Sequence, residues 1–499
     1  MKIVLLPLDE RPCNLKYPSL MPLSKDINIV VPNKNILSNK KIRCDLNVLH
    51  EWLLEECKDA DYAIISMDTL LYGGIVPSRL HHDSLETLLK RSSLIEKIKK
   101  QNPKLKVYVN ELIMRTPSYS LSDEEPDYFD ECGRELWQYG VYLDKKEQGV
   151  ISLEEEKAFK ELDENINHEY LSDLINRREI NKKLILNSIE MYKDGIIDYL
   201  VIPQDDCHPY GFTSRDRKQI VKFIDSIKLN KELLMYPGAD ESGMTLLSKI
   251  LNDYYKTSLK VFVVYQSEVG RRAIPNFEDR EVEKTISFHL KACGLTEVEN
   301  KEDADIVLFV NNGHYFPEGN KNDAKEFDRS RELSAFVQDL KQTISSGKVA
   351  GIADIVYCNR GDEKLFNNLF KEEMFGLIHA YAGWNTSSNT LDTTLCCLVS
   401  YYFSRDDQKK NYFLLHRYIE DFFYMDYIRT EVIEKIAANP QWNIKINALN
   451  KMKMPLQEYT KERLMRLINK FQLNSLYWIN KLEIDFVWNR TFEIDLIIE

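Results

Sequence analysis

LMYPGADES, residues 234–242, runs apolar through Pro237, turns at Gly238 and then sets Asp240 and Glu241 side by side. The apolar stretch is continuous and does not alternate, which is the pattern of a strand covered on both faces, as in a parallel sheet. Its acidic end has two readings. Either a strand hands over to a helix, with Glu241 capping it or in its first turn, or two carboxylates are presented to a ligand. Which one holds depends on how often the same grammar recurs along the chain.

It recurs through the first 400 residues. The further strand candidates are KIVLLPL (2–8), INIVVP (27–32), DYAIISM (61–67), LKVYVN (105–110), YLVIPQ (199–204), KVFVVYQ (260–266), DIVLFVN (305–311), VAGIADIVY (349–357) and FGLIHAY (375–381), with ELLMYP (232–237) as the strand of the opening stretch. Between them lie helical patterns. In DSLETLLKRSSLIEKIKK (83–100), Asp83 can cap, Glu86 stands three residues on, and Leu85, Leu88, Leu89, Ile95 and Ile98 keep to one stripe. REVEKTISFHLKACG (280–294) ends on Gly294, a helix stop.

Such alternation means parallel α/β architecture. The ten or so βα repeats exceed the eight of a plain barrel, so an elaborated (β/α)8-like barrel is the expectation, preferred to two doubly wound lobes. The α/β catalytic region spans 1–400, with a charged helical insertion at 120–198. Residues 401–499, beginning YYFSRDDQKKNYFLLHRYIEDFFYMDYIRTEVIEKI, form a helical C-terminal region without further parallel-strand rhythm. No repeat with a period of about 20–50 residues is present.

Composition narrows the function class. The chain has 499 residues, 43% hydrophobic and 11% aromatic, enough for a large core, and its net charge of −12 leaves no cationic excess for nucleic-acid phosphates. No window reaches the roughly 18 apolar residues of a membrane span, and MKIVLLPLDE reads as a first strand, not a signal peptide. Nine scattered cysteines with no CxxC fit free thiols in a reducing compartment, so a cytoplasmic protein is expected. No GxGxxG follows a strand and no HExxH is present, so neither a nicotinamide cofactor nor a zinc site is expected; the expectation is no cofactor and no metal.

In parallel α/β folds, ligands bind at the carboxyl ends of strands. There the sequence places Asp9-Glu10-Arg11, Asp68 with Tyr72-Gly73-Gly74 and Arg79, Glu111 with Arg115, Asp205-Asp206-Cys207-His208, Asp240-Glu241, Asn311-Asn312-Gly313-His314, Asp354, and Trp384-Asn385. Each has a bland alternative: an ion-paired turn at residues 9–11, tight turns at the glycines, a helix cap and buried aromatic at Trp384. Taken together, acids, amides and aromatic rings suit a neutral polyhydroxylated ligand. Asp9, Arg11, Asp68, Tyr72, Arg79, Glu111, Arg115, His208, Asn311, Asp354, Trp384 and Asn385 are the candidate substrate-binding residues. Arg79, Arg115 and Arg271 could instead clamp an anionic group on the ligand, although structural ion pairs are their commoner fate.

Two acidic pairs follow consecutive strands, Asp205-Asp206 and Asp240-Glu241. Glycoside cleavage needs one carboxyl held protonated and a second group that stabilises positive charge at the anomeric carbon. A like-charged neighbour and burial both raise a carboxyl's pKa, while a helix N-terminus favours the ionised form. These four are the candidate catalytic residues.

GADE after a strand is similar to the His-x-Gly-Gly-Asp-Glu signature of β-N-acetylhexosaminidases. That resemblance implies Glu241 as general acid and Asp240 as the residue orienting the substrate's acetamido group. Tyr236 and Ala239 depart from it. Asp205-Asp206 resembles the adjacent aspartates of O-GlcNAc-cleaving enzymes, one orienting the acetamido group and the other serving as acid/base. Over a longer span, PLDERPCN, SMDTLLYGGIVPSRLHH, NELIMRTP, PQDDCHPYG, YPGADE and AYAGWNTSSNTL resemble a bacterial family of unknown function. The function expected is a glycoside hydrolase acting on small glycosides, N-acetylated amino-sugar glycosides among them. The alternatives are a metal-dependent hydrolase or phosphoryl-transfer enzyme using Asp9, Asp205, Asp206, His208, Asp240 and His314, and a non-catalytic carbohydrate-binding protein. The oligomeric state is open.

Overall fold

The computed structural model describes residues 1–229, 233–316 and 331–499. Glu232, in the strand candidate 232–237, lies outside them. The chain divides into two compact units, the first formed by Met1–Glu10, Asp26–Leu246 and Phe277–Arg280, the second by Arg11–Lys25, Leu247–Asn276 and Glu281–Glu499.

The first unit is built on a six-stranded sheet of β1 (Lys2–Leu6), β2 (Asn28–Val30), β3 (Tyr62–Ser66), β4 (Lys106–Asn110), β5 (Tyr199–Gln204) and β6 (Leu234–Pro237). All its pairings are parallel, in the order β2-β1-β3-β4-β5-β6. Ile3–Leu6, Ala63–Ser66 and Val107–Asn110 are buried without alternation, because helices cover both faces. The registers Leu6↔Ile65, Ser66↔Asn110 and Gln204↔Pro237 bring the strand ends level, so the residues after them share one edge.

The second unit carries β7 (Lys260–Tyr265), β8 (Thr296–Glu297), β9 (Ile306–Asn311), β10 (Val349–Asp354) and β11 (Tyr381–Ala382), parallel throughout, in the order β11-β10-β9-β7-β8. Read from its other edge, β8-β7-β9-β10-β11 repeats the order of the first five strands of the first unit. In both sheets the second strand lies on one side of the first and the third on the other.

This corrects the barrel expectation. A closed barrel requires every strand to be paired on both sides, whereas the reversal of direction at β1, and again at β7, produces two open doubly wound sheets. Among the described residues no closed barrel forms, and β2, a three-residue partly exposed strand, is a blunted edge. The run 375–381 contributes only Tyr381 to a strand. Phe375 and Ile378 from the same run pack into the core instead.

The stretch 83–100 forms two helices, Leu85–Ser92 and Leu94–Gln101. Ser84, not Asp83, caps the first by accepting the Thr87 N–H at 3.2 Å. Asp83 is drawn away by Arg43 at 2.5 Å and Arg91 at 2.9 Å, and Leu89 is exposed rather than part of the buried stripe. The helix Val282–Ala292 stops as expected, with Gly294 in the left-handed region at φ +73°.

Beyond residue 401 the chain is mostly helical as far as Lys470, broken by a loop at 443–449, and ends in an antiparallel pair, β12 (Leu482–Phe486) and β13 (Ile494–Ile498). Its side chains share a core with β9 and β10. Phe422 stacks on Phe366 with ring centroids 3.8 Å apart, and both belong to the cluster that holds Phe309 and Ile352. Tyr418–Ile428 is a π-helix, closed by the Arg429 N–H donating five residues back to the Tyr424 carbonyl. Among the described residues no helix is long and apolar enough to cross a membrane.

Candidate functional site

A doubly wound sheet opens a crevice outside the strand ends where its order reverses. In the first unit that point lies between β1 and β3. There the Leu8 carbonyl accepts the Thr69 hydroxyl at 2.7 Å and the Ile75 N–H at 3.2 Å, tying the two loops together. Asp9 is buried beside them, and the Glu10 carboxylate is taken by the Ser38 hydroxyl and the Lys40 N–H, both at 2.7 Å. Gly73 ends the helix Met67–Tyr72 at φ +87°, so the glycine pair is a turn.

From this point a network of acids and arginines runs along the strand ends. Asp68, on the helix after β3, accepts the Leu112 N–H at 3.2 Å, and burial raises its carboxyl to about 6. Glu111, at the end of β4, is fully buried, and burial pushes it up to about 8, with Asp68 adding to the rise and Ser188 opposing it. The buried Tyr72 stands in their field. Arg79 donates to Asp205 at 2.6 Å and to Glu124 at 3.0 Å. Arg115 donates to Glu125 at 2.8 Å, Asp206 at 2.8 Å and Glu124 at 3.3 Å.

The 120–198 segment holds this network in place. Its helix His168–Lys193 presents Arg178, which donates to the Met114 carbonyl at 2.7 Å, the Arg115 carbonyl at 3.0 Å and Asp216 at 2.8 Å. From the same helix Asn181 reaches the Ser78 carbonyl at 3.1 Å, and Arg177 the His81 carbonyl at 3.0 Å. Both arginine-bearing segments are thus pinned to one helix.

Within the network Asp206 differs from the other acids. Its side chain is 23% exposed, its backbone sits at φ +32°, and its carboxyl is raised to about 6 by burial, with the Asp205 charge adding to the rise and Arg115 opposing it. Left-handed backbone at a residue other than glycine is strained and is held only by its surroundings. Tyr119, 42% exposed, stands in the same field as Arg115 and Asp206. The two guanidiniums of Arg79 and Arg115 meet four carboxylates, Glu124, Glu125, Asp205 and Asp206, so the site carries an excess of acid.

The opening pair is built differently. The Glu241 carbonyl accepts the Met244 N–H at 2.8 Å and the Thr245 N–H at 3.0 Å, which starts the helix Ser242–Tyr254. Its carboxylate folds back to accept the Ala239 N–H at 2.9 Å, and the residue is 0% exposed. Asp240 is buried at the same turn. Gly238, at φ +149°, leaves the room: a Cβ there would stand 1.8 Å from Glu241 Oε1. Gly238→Ala is therefore expected to destabilise the protein by about 1–3 kcal/mol. A thermal melt showing no loss would remove this account of the turn.

Glu111 makes a second prediction. An acid whose folded-state value is raised keeps its proton in the native state, so stability is full below its ordinary value near 4.5 and falls as pH rises toward about 8. Glu111→Gln removes that loss. The variant should match wild type near pH 5 and melt higher near pH 8, and an unchanged difference across that range would contradict the buried proton.

The remaining expected residues lie elsewhere. His208 is exposed, its Nδ1 3.1 Å from the Tyr210 carbonyl. In the second unit, Asn311 donates to Asp354 at 2.6 Å and accepts from Arg331 at 2.5 Å, while Arg331 also holds Asp362 at 2.6 Å. Burial raises the Asp354 carboxyl, and the buried Tyr381 hydroxyl donates to it at 3.0 Å. Trp384 is buried, its indole N–H on the Thr393 hydroxyl at 3.1 Å, and the Asn385 carbonyl accepts the Asn359 N–H at 2.8 Å. Arg11 lies over the Trp488 ring at 4.7 Å, and Arg271 pairs with Glu268 at 2.9 Å and Glu283 at 3.2 Å. The candidates thus do not form one constellation. Asp68, Arg79, Glu111, Arg115, Asp205 and Asp206 share a network in the first unit and Asn311 and Asp354 another in the second, while Glu241, His208, Arg11, Arg271 and Trp384 have contacts of their own.

A family model matches residues 3–497. The chain belongs to the family described as "Protein of unknown function (DUF4127)". That meets the expectation of a family of unknown function, and the match extends past the first 400 or so residues, which hold the resembling stretches, to nearly the full chain. No curated protein and no solved structure matches it.

Proposed function

We propose that this member of the family is a glycoside hydrolase acting on small neutral glycosides, N-acetylated amino-sugar glycosides among them, with Asp206 as its general acid. The observation that carries the reading is the Asp206 carboxyl: partly exposed, fixed by Arg115 at 2.8 Å, and raised to about 6. A general acid works best with a value near the operating pH, and a carboxyl reaches that range through burial and a like-charged neighbour.

The assigned chemistry is proton delivery from Asp206 to the glycosidic oxygen as the bond to the anomeric carbon breaks. Asp205, anchored by Arg79 at 2.6 Å, is the negative partner for the charge that develops on the sugar, or the group that orients an acetamido substituent. Tyr119 supplies a face for the sugar's C–H surface. Because Arg79 and Arg115 are engaged by protein carboxylates that outnumber them, a phosphorylated or acidic sugar would meet repulsion, and this favours neutral substrates.

The test is hydrolysis of a panel of nitrophenyl glycosides, N-acetylhexosaminides and 6-phosphosugars included, across pH. Turnover is expected with neutral members, and kcat/KM should fall as pH rises through about 6, because the acid must carry its proton. Folded protein that turns over no member, or prefers the phosphorylated ones, would overturn the reading.

A further inference from the structure

We infer that the second unit binds a divalent transition-metal ion through His289 and Asp392. His289 sits on the helix Val282–Ala292 and Asp392 on the helix Ser387–Ser404, which packs against it. His289 Nδ1 lies 2.9 Å from Asp392 Oδ2, and both residues are 0% exposed. One helical turn beyond His289 stands Cys293, and one turn beyond Asp392 stands Cys396, both fully buried. Cys293 hydrogen-bonds the Asp392 side chain, so a thiol adjoins the same carboxylate.

Stability alone does not account for this cluster. Taking an imidazole and a carboxylate wholly out of water is costly, and apolar side chains of similar volume would serve the core as well or better. The donor types are those of metal chemistry, with imidazole nitrogen, carboxylate oxygen and thiol sulfur aligned at one-turn spacing on two facing helices, as metal sites in helical cores are built. Oxygen-seeking magnesium and calcium do not call for an imidazole, whereas zinc and its neighbours do. A zinc ion between Nδ1 and Oδ2, at bonds of about 2.0–2.2 Å in tetrahedral geometry, asks the two atoms, 2.9 Å apart, to part by roughly half an ångström.

The test does not depend on glycoside turnover. Metal content is measured on the full-length protein as purified, then after chelator treatment and titration with zinc, with wild type beside His289→Gln and Asp392→Asn. Wild type is expected to bind zinc stoichiometrically, and each variant to weaken binding by more than about tenfold. If a variant does not fold, the X-ray absorption spectrum of the zinc-loaded wild type decides, and imidazole scattering in the metal shell is expected. Folded wild type that takes up no zinc, variants that bind as wild type does, or a metal shell without imidazole would overturn the assignment.

Discussion

Replacing Arg79 with Met should destabilise the first unit by about 3–5 kcal/mol, the usual consequence of removing one member of a buried ionic network. The side chain is 2% exposed and its guanidinium meets Asp205, Glu124 and Glu125. Methionine fills much of the same volume, so the loss would come from leaving buried Asp205 without its guanidinium, and Glu124 and Glu125 with Arg115 alone, rather than from a cavity. Arg79→Lys should recover only part of it, because an ammonium cannot span acids arriving from two loops as a planar fork does. Urea unfolding is the measurement, with Lys41→Met as the control. Lys41 pairs with exposed Asp127 at 2.9 Å, and that exposed pair should cost less than about 1 kcal/mol. Equal effects at the two sites would mean that the network is far better solvated than its burial implies.

Asp206→Asn carries the largest expected effect on activity, a loss of about 10²- to 10⁴-fold in kcat, the range over which a positioned general acid contributes. The amide keeps the shape and can still meet Arg115, so the fold should survive. Glu241→Gln is the informative partner. With its carboxylate bound inside its own turn and the residue wholly buried, it should lower stability by about 1 kcal/mol and leave kcat within a fewfold of wild type. The reverse pattern, with Glu241 essential and Asp206 dispensable, would return the acid to the position that the GADE resemblance implies.

Much of the fold was legible because burial on both faces writes continuous apolar runs. Ten of the eleven parallel strands coincide with such runs at least in part. The exception, Thr296–Glu297, is a two-residue exposed edge that carries no apolar signal. What could not be read was strand order. Whether β3 joins β1 beside β2 or on its far side leaves no local trace, yet that choice separates a closing barrel from two open sheets. Local capping also lost to long-range charge at Asp83, where two arginines outbid the helix end.

At the site, the rule that function gathers after strand ends brought Asp68, Glu111, Arg79, Arg115, Asp205 and Asp206 into one network. It missed Glu124 and Glu125, because SDEEP reads as solvated surface charge. A signal was present in principle: two arginines held at buried strand ends demand carboxylates, and an acidic pair stopped by Pro126 is well placed to supply them. At Trp384 and Glu241 the same rule points to residues that are buried and bonded locally, the indole N–H to Thr393 and the carboxylate to the Ala239 N–H.

The most direct test of acid catalysis by Asp206 compares leaving groups. With a substrate of the wild-type enzyme in hand, kcat/KM would be measured for Asp206→Asn on an alkyl glycoside and on the dinitrophenyl glycoside of the same sugar. A dinitrophenolate departs without a proton, so the variant should be crippled on the alkyl glycoside and close to wild type on the other. An equal loss on both would contradict proton donation by Asp206.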